Sequence, residues 1–232
     1  MKKKPATQLT TPFFVGARQR MVRQQVERRG ICDQRVLQAM LRVPREEFVD
    51  EAARHSAYED HPLPIGFGQT ISQPFTVAFQ CEALQLTGNE RVLEIGTGSG
   101  YCAAVLSQLA KDVYTVERVP ELAKRAGETL RRLGYSNVHV VAADGTMALP
   151  NQAPFEGILV TAGGRTLPTP FVEQLAPGGR IVIPLGRSLS GQSMFRYTKL
   201  GAELRSENLG SFSFVPLIGQ FGWNESNTTD GR

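Results

Sequence analysis

Residues 92–100 read VLEIGTGSG, an apolar run that ends in an acid and is followed by three glycines at alternate positions. No other stretch restricts the fold as much. Gly96, Gly98 and Gly100 let the backbone turn sharply and lie against a ligand, because a missing Cβ opens dihedrals closed to other residues. Val92, Leu93 and Ile95 suit a buried parallel strand, and Tyr101 to Ala110 suits the helix that follows it. A second acid, Glu117, closes the next apolar run, YTVE, 21 residues beyond Gly96. That is about the spacing at which a nucleotide fold places a carboxylate on a ribose. Together these features predict a nucleoside-cofactor site.

The spacing of the glycines narrows the cofactor. A dinucleotide fold wants G-x-G-x-x-G, with the helix N-terminus holding a pyrophosphate. Here the third glycine comes one residue early and Glu94 stands ahead of the turn. A carboxylate there would repel a pyrophosphate and could serve a ligand carrying an ammonium group. The pattern resembles motif I of the S-adenosylmethionine-dependent methyltransferases with a Rossmann-like core. The bland reading is a strand–turn–helix with incidental glycines.

Composition excludes several classes. With 232 residues, 41% hydrophobic and 21% charged, the chain has the make-up of one well-buried domain. Its net charge of +4 includes Lys2, Lys3 and Lys4, so the body is nearer neutral. Nucleic-acid binding calls for a basic stripe with stacking aromatics. The nearest candidate, Arg18 to Arg29, is broken up by Gln, Val and Glu and reads as a solvated helix face, so no nucleic-acid partner is expected. Cys32, Cys81 and Cys102, odd in number and without paired spacing, read as free thiols in the core. No metal site is expected. The longest apolar run near the N-terminus, Phe13-Phe14-Val15, is too short for a signal peptide, and nothing approaches the ~20 apolar residues of a membrane span. A cytoplasmic protein without membrane attachment is expected.

Punctuation along the chain predicts a mobile basic arm (1–17), a single domain (18–223) and a flexible polar tail (224–232) containing Asp230-Gly231. Within the domain, residues 18–75 would carry N-terminal helices and a substrate loop, and 76–223 the cofactor-binding core. A helix from Ala17 to Arg29 should stop at Gly30. Asp33 can cap a second helix with Val36, Leu37, Met40 and Leu41 on one face, ended by Pro44. HPLPIGFGQTISQPF (61–75) reads as an irregular connection, and long loops are often functional. Helix 76–86, strand 91–95, helix 100–110, strand 113–117 and a helix from Pro120 to Gly134 follow. VHVVAAD, GILVTA and RIVIPL are further strands, with a helix around Phe171 to Leu175. Strands alternating with helices imply a parallel sheet covered on both faces, an α/β doubly wound architecture. SMFRYTKL and FSFVPLIGQF, with no helix between them, should pair antiparallel at one side. Ligands of such a sheet bind beyond the carboxyl ends of the strands, here the glycine loop, Glu117-Arg118, Asp144-Gly145 and Thr161-Ala162-Gly163. Glu117 could accept from ribose hydroxyls and Asp144 from an adenine amino group.

GQTISQP (68–74), VLEIGTGSGY, VYTVER, FEGILVTA, LAPGGRIVIPLG and FVPLIGQFGW, with the earlier RVLQAMLRVPREEFV, together resemble the protein-L-isoaspartate O-methyltransferase family. The resemblance runs from about Arg20 to Trp223, and GQTISQP is its most specific part. It implies a Rossmann-like methyltransferase fold with an antiparallel C-terminal part and an N-terminal helical extension. It implies S-adenosylmethionine as cofactor and isoaspartyl peptides and proteins as substrates, with a monomer favoured. The cofactor-binding residues it implies are Gln69, Thr70, Ile71, Ser72, Val77, Glu94, Gly96, Thr97, Gly98, Gly100, Glu117, Arg118, Asp144 and Gly145. Ser72 would be the active-site serine; apart from the resemblance it reads as a turn serine bonding its own backbone. The chain departs from the family at Phe67, where an acid is common in bacterial members, at Ala143 and at Gly163-Gly164.

The chemistry implied needs few groups. The α-carboxylate freed in an isoaspartyl residue has a pKa of roughly 3.3–3.7, so it is ionised at neutral pH and needs no general base. Of the histidines only His61 is a modest candidate for a site role, and His55 and His139 read as structural. Three other classes fit less well: a methyltransferase of small molecules or RNA, an NAD-dependent oxidoreductase, and a silent module that keeps the cofactor fold.

Overall fold

A computed structural model describes residues 12–188 and 191–225. The first helix, α1 (Pro12–Met21), continues through a π turn (Val22–Val26) and a 3-10 turn (Glu27–Arg29) to Gly30, whose φ of 103° closes it in the left-handed region. Helix therefore begins inside the segment expected to be a mobile arm, because Phe14 packs against the core. Residues 1–11 and the tail residues Asp230-Gly231 lie outside the described residues. In α2 (Gln34–Arg42) the Asp33 carboxylate accepts from the Arg35 N–H at 2.8 Å, the cap expected, and Val36, Leu37 and Met40 are buried.

The connection expected to be irregular contains an antiparallel hairpin, β1 (Leu63–Gly66) and β2 (Gln69–Ile71). Its alternating burial places Leu63, Ile65 and Ile71 in the core. The glycines hid it, although Gly66 and Gly68, at φ 91° and 68°, are what turn it. α3 (Pro74–Leu84) starts with its proline in the first turn.

The core alternation is as expected: β3 (Arg91–Ile95), α4 (Tyr101–Leu106), β4 (Asp112–Glu117), α5 (Pro120–Arg132), β5 (Val138–Ala142), β6 (Phe155–Val160), α6 (Thr169–Gln174) and β7 (Leu175–Leu185). Two more strands follow, β8 (Gln192–Leu200) and β9 (Glu203–Phe212). The seven-stranded sheet runs β5-β4-β3-β6-β7-β8-β9. β3 to β7 pair in parallel, and β8 and β9 add antiparallel. The second antiparallel strand is thus ELRSENLGSF and not FSFVPLIGQF. At the sheet edge it is largely exposed and carries no apolar alternation to announce it.

From β3 the chain builds outward through β4 to β5, then returns to lay β6 on the other side of β3. The crevice where strand order reverses, beyond the carboxyl ends of β3 and β6, is where such sheets take ligands. Val92, Leu93, Ile95, Ile158, Leu159 and Val160 are buried under it. Among the described residues, no helix is long and apolar enough to cross a membrane.

Candidate active site

The loop after β3 is shaped by hydrogen bonds that only a glycine backbone leaves room for. Gly96 N–H donates to the Val116 carbonyl at 2.9 Å, and Thr161 Oγ1 shares its one proton between the carbonyls of Ile95 and Gly96, at 2.9 and 2.8 Å. A Cβ on Gly96 would lie 2.3 Å from that hydroxyl, and φ here is +96°. Gly98, at φ +52°, donates its N–H to Glu117 Oε2 at 2.8 Å. Glu117 Oε1 accepts from the Val119 N–H at 2.9 Å. One carboxylate thus clamps the glycine loop to the end of β4 and keeps about two of its roughly four acceptor positions for a ligand's hydroxyls.

The resulting cleft is lined by Gln69, Thr70, Gly96, Gly98, Glu117, Arg118 and Gly145 from the expected set. Ile95, Val116, Val119, Thr161, Ala162 and the segment Val215–Ile218 complete it. Thr161 and Ala162 stand at the strand end that the sequence marks, but they were not in the set. The 215–218 wall was missed because its apolar residues read as a strand.

That wall is an irregular segment stitched across the end of β6. Gly163 N–H donates to the Val215 carbonyl at 2.7 Å, Leu217 N–H to the Gly163 carbonyl at 2.9 Å, and the Trp223 indole to Gly163 at 2.9 Å. Asp144 holds its far end. Asp144 Oδ1 accepts from Thr146 N–H and Oγ1 at 2.9 and 2.7 Å, and Oδ2 from the Gln220 N–H at 2.8 Å. The carboxylate expected to meet an adenine is therefore mostly engaged by the protein and lies outside the cleft lining.

Five other expected residues lie behind the cleft. Ile71 and Val77 are buried in the core, carried there by strand alternation and by the first turn of α3. Thr97 is buried with its hydroxyl on Thr115, and Gly100 opens α4 where a Cβ would press on Leu130 and Ala126. Glu94 is fully buried and lies outside the cleft lining. Thr115 Oγ1 donates to Glu94 Oε2 at 2.5 Å, and the Thr97 and Thr115 hydroxyls meet at 2.6 Å. Because Thr115 spends its proton on Glu94, Thr97 is the donor in the second bond. The motif's acid thus fixes the middle of the glycine loop from below. Burial pushes its carboxyl up to about 7, against the hydrogen bond from Thr115.

The cleft opens into a second, wider groove that shares Gln69, Thr70, Arg118, Thr161, Val215, Pro216 and Ile218 with it. Ser72 lines this groove beside Phe67, Gln73 and Phe75. Its carbonyl accepts from Arg45 Nη2, yet its hydroxyl makes no hydrogen bond among the described residues. That removes the alternative of a turn serine tied to its own backbone. His61 is exposed, bonded to Glu59 and the Pro62 carbonyl, and does not line the groove. Among the described residues no group of His, Cys, Asp and Glu could hold a metal ion.

A glycine loop and a carboxylate with open acceptor positions at adjacent strand ends, on a sheet whose order reverses there, form the layout of a Rossmann-like S-adenosylmethionine-dependent methyltransferase. Residues 17–222 match the family model of protein-L-isoaspartate(D-aspartate) O-methyltransferase, and the chain belongs to that family. Among its relatives is protein-L-isoaspartate O-methyltransferase 1 of Syntrophobacter fumaroxidans, 53% identical over 90% of this chain and 98% of its own. Protein-L-isoaspartate O-methyltransferase 2 of Marinobacter nauticus is 55% identical over 89% of this chain and 94% of its own. A solved protein-L-isoaspartate O-methyltransferase superposes with a TM-score of 0.81 at 31% identity, covering 88% of this chain and 67% of that one. Another, from Plasmodium falciparum in complex with S-adenosyl-L-homocysteine, gives 0.74 at 25% identity, over 87% and 98% of the two chains.

Proposed function

We propose that this chain transfers a methyl group from S-adenosylmethionine to the free α-carboxylate of L-isoaspartyl residues in damaged proteins and peptides. The observation that carries the reading is the direct opening of the glycine-lined cleft into the groove where Ser72 presents an unengaged hydroxyl. Gly96 and Gly98 leave the space a ligand's backbone-side approach requires, and Glu117 has acceptor capacity for ribose hydroxyls. The cofactor supplies an electrophilic methyl on a sulfonium.

Everything else asked of the protein is positioning. A carboxylate of pKa roughly 3.3–3.7 arrives as its own nucleophile, so the chemistry calls for no nucleophile–base pair around the groove. Alignment of two bound reactants can supply about 7–11 kcal/mol of the barrier. Ser72 is the group we assign to the substrate carboxylate, as a hydrogen-bond donor. An aspartyl residue carries its free carboxylate on the side chain, displaced by one methylene from the main chain, and a site that leaves its donor unpaired discriminates strongly against it. Transfer of labelled methyl to an isoaspartyl peptide, and not to its aspartyl isomer, is the expected result. Equal labelling of both, or of neither, would refute the reading.

A further inference from the structure

The tip of the β1–β2 hairpin carries a feature that the methyl transfer itself does not use. Gly66, Phe67 and Gly68 have φ of 91°, 54° and 68°, so a phenylalanine sits between two glycines in the left-handed region. That conformation is unfavourable for a side chain with a Cβ. Its ring offers no compensating burial, since 55% of Phe67 is exposed. Strain and an open apolar side chain coincide at one residue, and that residue lines the groove holding Ser72.

The groove's other aromatics are already occupied. Phe75 lies under the Arg29 guanidinium at 3.7 Å and beside Phe79, and Phe212 packs on both Phe79 and Phe214. The charges near the rim are also spoken for, with Arg29 paired to Asp60 and Arg118 to Glu225. Of the groove's aromatic rings, the one that remains open to a bound peptide is that of Phe67. Ser72 is five residue steps further along the chain, at most roughly 18 Å when extended, within reach of the few positions flanking a residue held at Ser72.

We propose that Phe67 is a specificity-determining residue: its ring packs on an apolar or aromatic side chain flanking the isoaspartyl residue, so that such peptides are the preferred substrates. The proposal rests on the isoaspartyl reading above. Its test uses isoaspartyl peptides identical except for one flanking residue (Tyr, Leu, Ser or Glu), with the intact protein and with Phe67→Asn and Phe67→Gly. Both replacements tolerate the left-handed conformation, so the hairpin keeps its shape.

The intact protein should show KM about three- to tenfold lower for the Tyr and Leu peptides than for the Ser peptide. In both variants that ratio should shrink to within about twofold, while S-adenosylhomocysteine affinity stays put. A ratio that survives in both variants, or equal KM across the peptides for the intact protein, would overturn the role of Phe67. Failure to methylate any isoaspartyl peptide would instead overturn the functional reading, and this proposal with it.

Discussion

Arg45 Nη2 donates a 2.8 Å hydrogen bond to the carbonyl oxygen of Ser72, from a guanidinium that is wholly buried. Its Nε donates to the Ala57 carbonyl at 2.7 Å, and its Cζ lies 4.8 Å from the centre of the Tyr101 ring. No carboxylate pairs with it among the described residues. A buried cation without a counter-ion is costly unless hydrogen bonds and a ring face replace its water. Here those replacements fix the backbone of Ser72 while leaving its hydroxyl to the groove. Arg45 is thus a positioning residue for the serine.

Arg45→Met should leave the Ala57 and Ser72 carbonyls without a donor and lower stability by about 2–4 kcal/mol. Arg45→Lys keeps the charge but not the fork, and should lose less stability yet still disturb Ser72. Thermal unfolding reads the first effect. For the second, KM for the peptide should rise while S-adenosylhomocysteine affinity holds; a Lys variant with unchanged peptide kinetics would leave Arg45 a purely structural residue.

Ser72→Ala removes one hydroxyl that holds nothing in the protein together. Stability should therefore change little. A hydrogen bond to a charged partner is worth about 1.5–3 kcal/mol, so kcat/KM for an isoaspartyl peptide should fall about ten- to a hundredfold. Cofactor affinity, measured by calorimetry, should stay within a few-fold. Intact activity would mean that the loop works through its backbone alone.

Gly98→Val tests the cleft from the other side. At φ +52° a β-branched side chain is strained, and the first carbon added already stands 3.3 Å from Ile65 Cδ1 in β1. The variant should fold, with stability lowered by about 1–3 kcal/mol, and lose S-adenosylhomocysteine binding in a titration. Native affinity in a folded Gly98→Val protein would move the cofactor away from this loop.

Much of this arrangement could be read from the chain, and the reasons it stopped short are physical. Strands buried on both faces announce themselves as apolar runs, so β3, β4 and β6 appear with the acids and glycines at their ends. β9 does not, because ELRSENLGSF lies at an exposed edge where no alternation is demanded. The apolar FVPLIGQF reads as a strand but spends its residues closing the cleft, and among the described residues its bridges are isolated ones, Pro216 to Gly163 and Ile218 to Trp223. Glu94 and Glu117 look alike in sequence, each an acid closing an apolar run. Their roles differ because one points beneath the loop toward Thr115 and the other up to the Gly98 N–H. Which face a strand-end side chain takes depends on register against β4 and β6, which spacing alone does not encode.

The buried Glu94 makes stability depend on pH in an unusual direction. Its folded-state pKa, about 7, lies above the ordinary value of 4.5. The folded protein keeps a proton that the unfolded chain releases, so stability is greatest below about pH 4.5 as far as this group is concerned. It declines as pH rises toward 7 and levels off above. A shift of this size corresponds to on the order of 3 kcal/mol. Glu94→Gln, which keeps an acceptor for Thr115, should flatten the profile and exceed the native protein in stability at pH 8. Denaturant unfolding at pH 5, 6.5 and 8 measures it, and a native protein that gains stability across that range through this position would contradict the assignment.

Activity should follow a different curve. The substrate carboxylate is ionised well below neutrality, and no side chain lining the groove has to gain or lose a proton for the methyl to move. From pH 6 to 8, kcat with a saturating isoaspartyl peptide should therefore stay roughly level. It should fall only where the carboxylate protonates, at roughly pH 3.3–3.7, or where the protein unfolds. His61 titrates nearby, with its pKa raised by bonds to the Pro62 carbonyl and Glu59, but it is exposed and outside the groove. His61→Gln should leave the profile unchanged. A bell centred near neutrality that disappears in His61→Gln would mean that a base takes part after all, and the carboxylate would then no longer be sufficient as its own nucleophile.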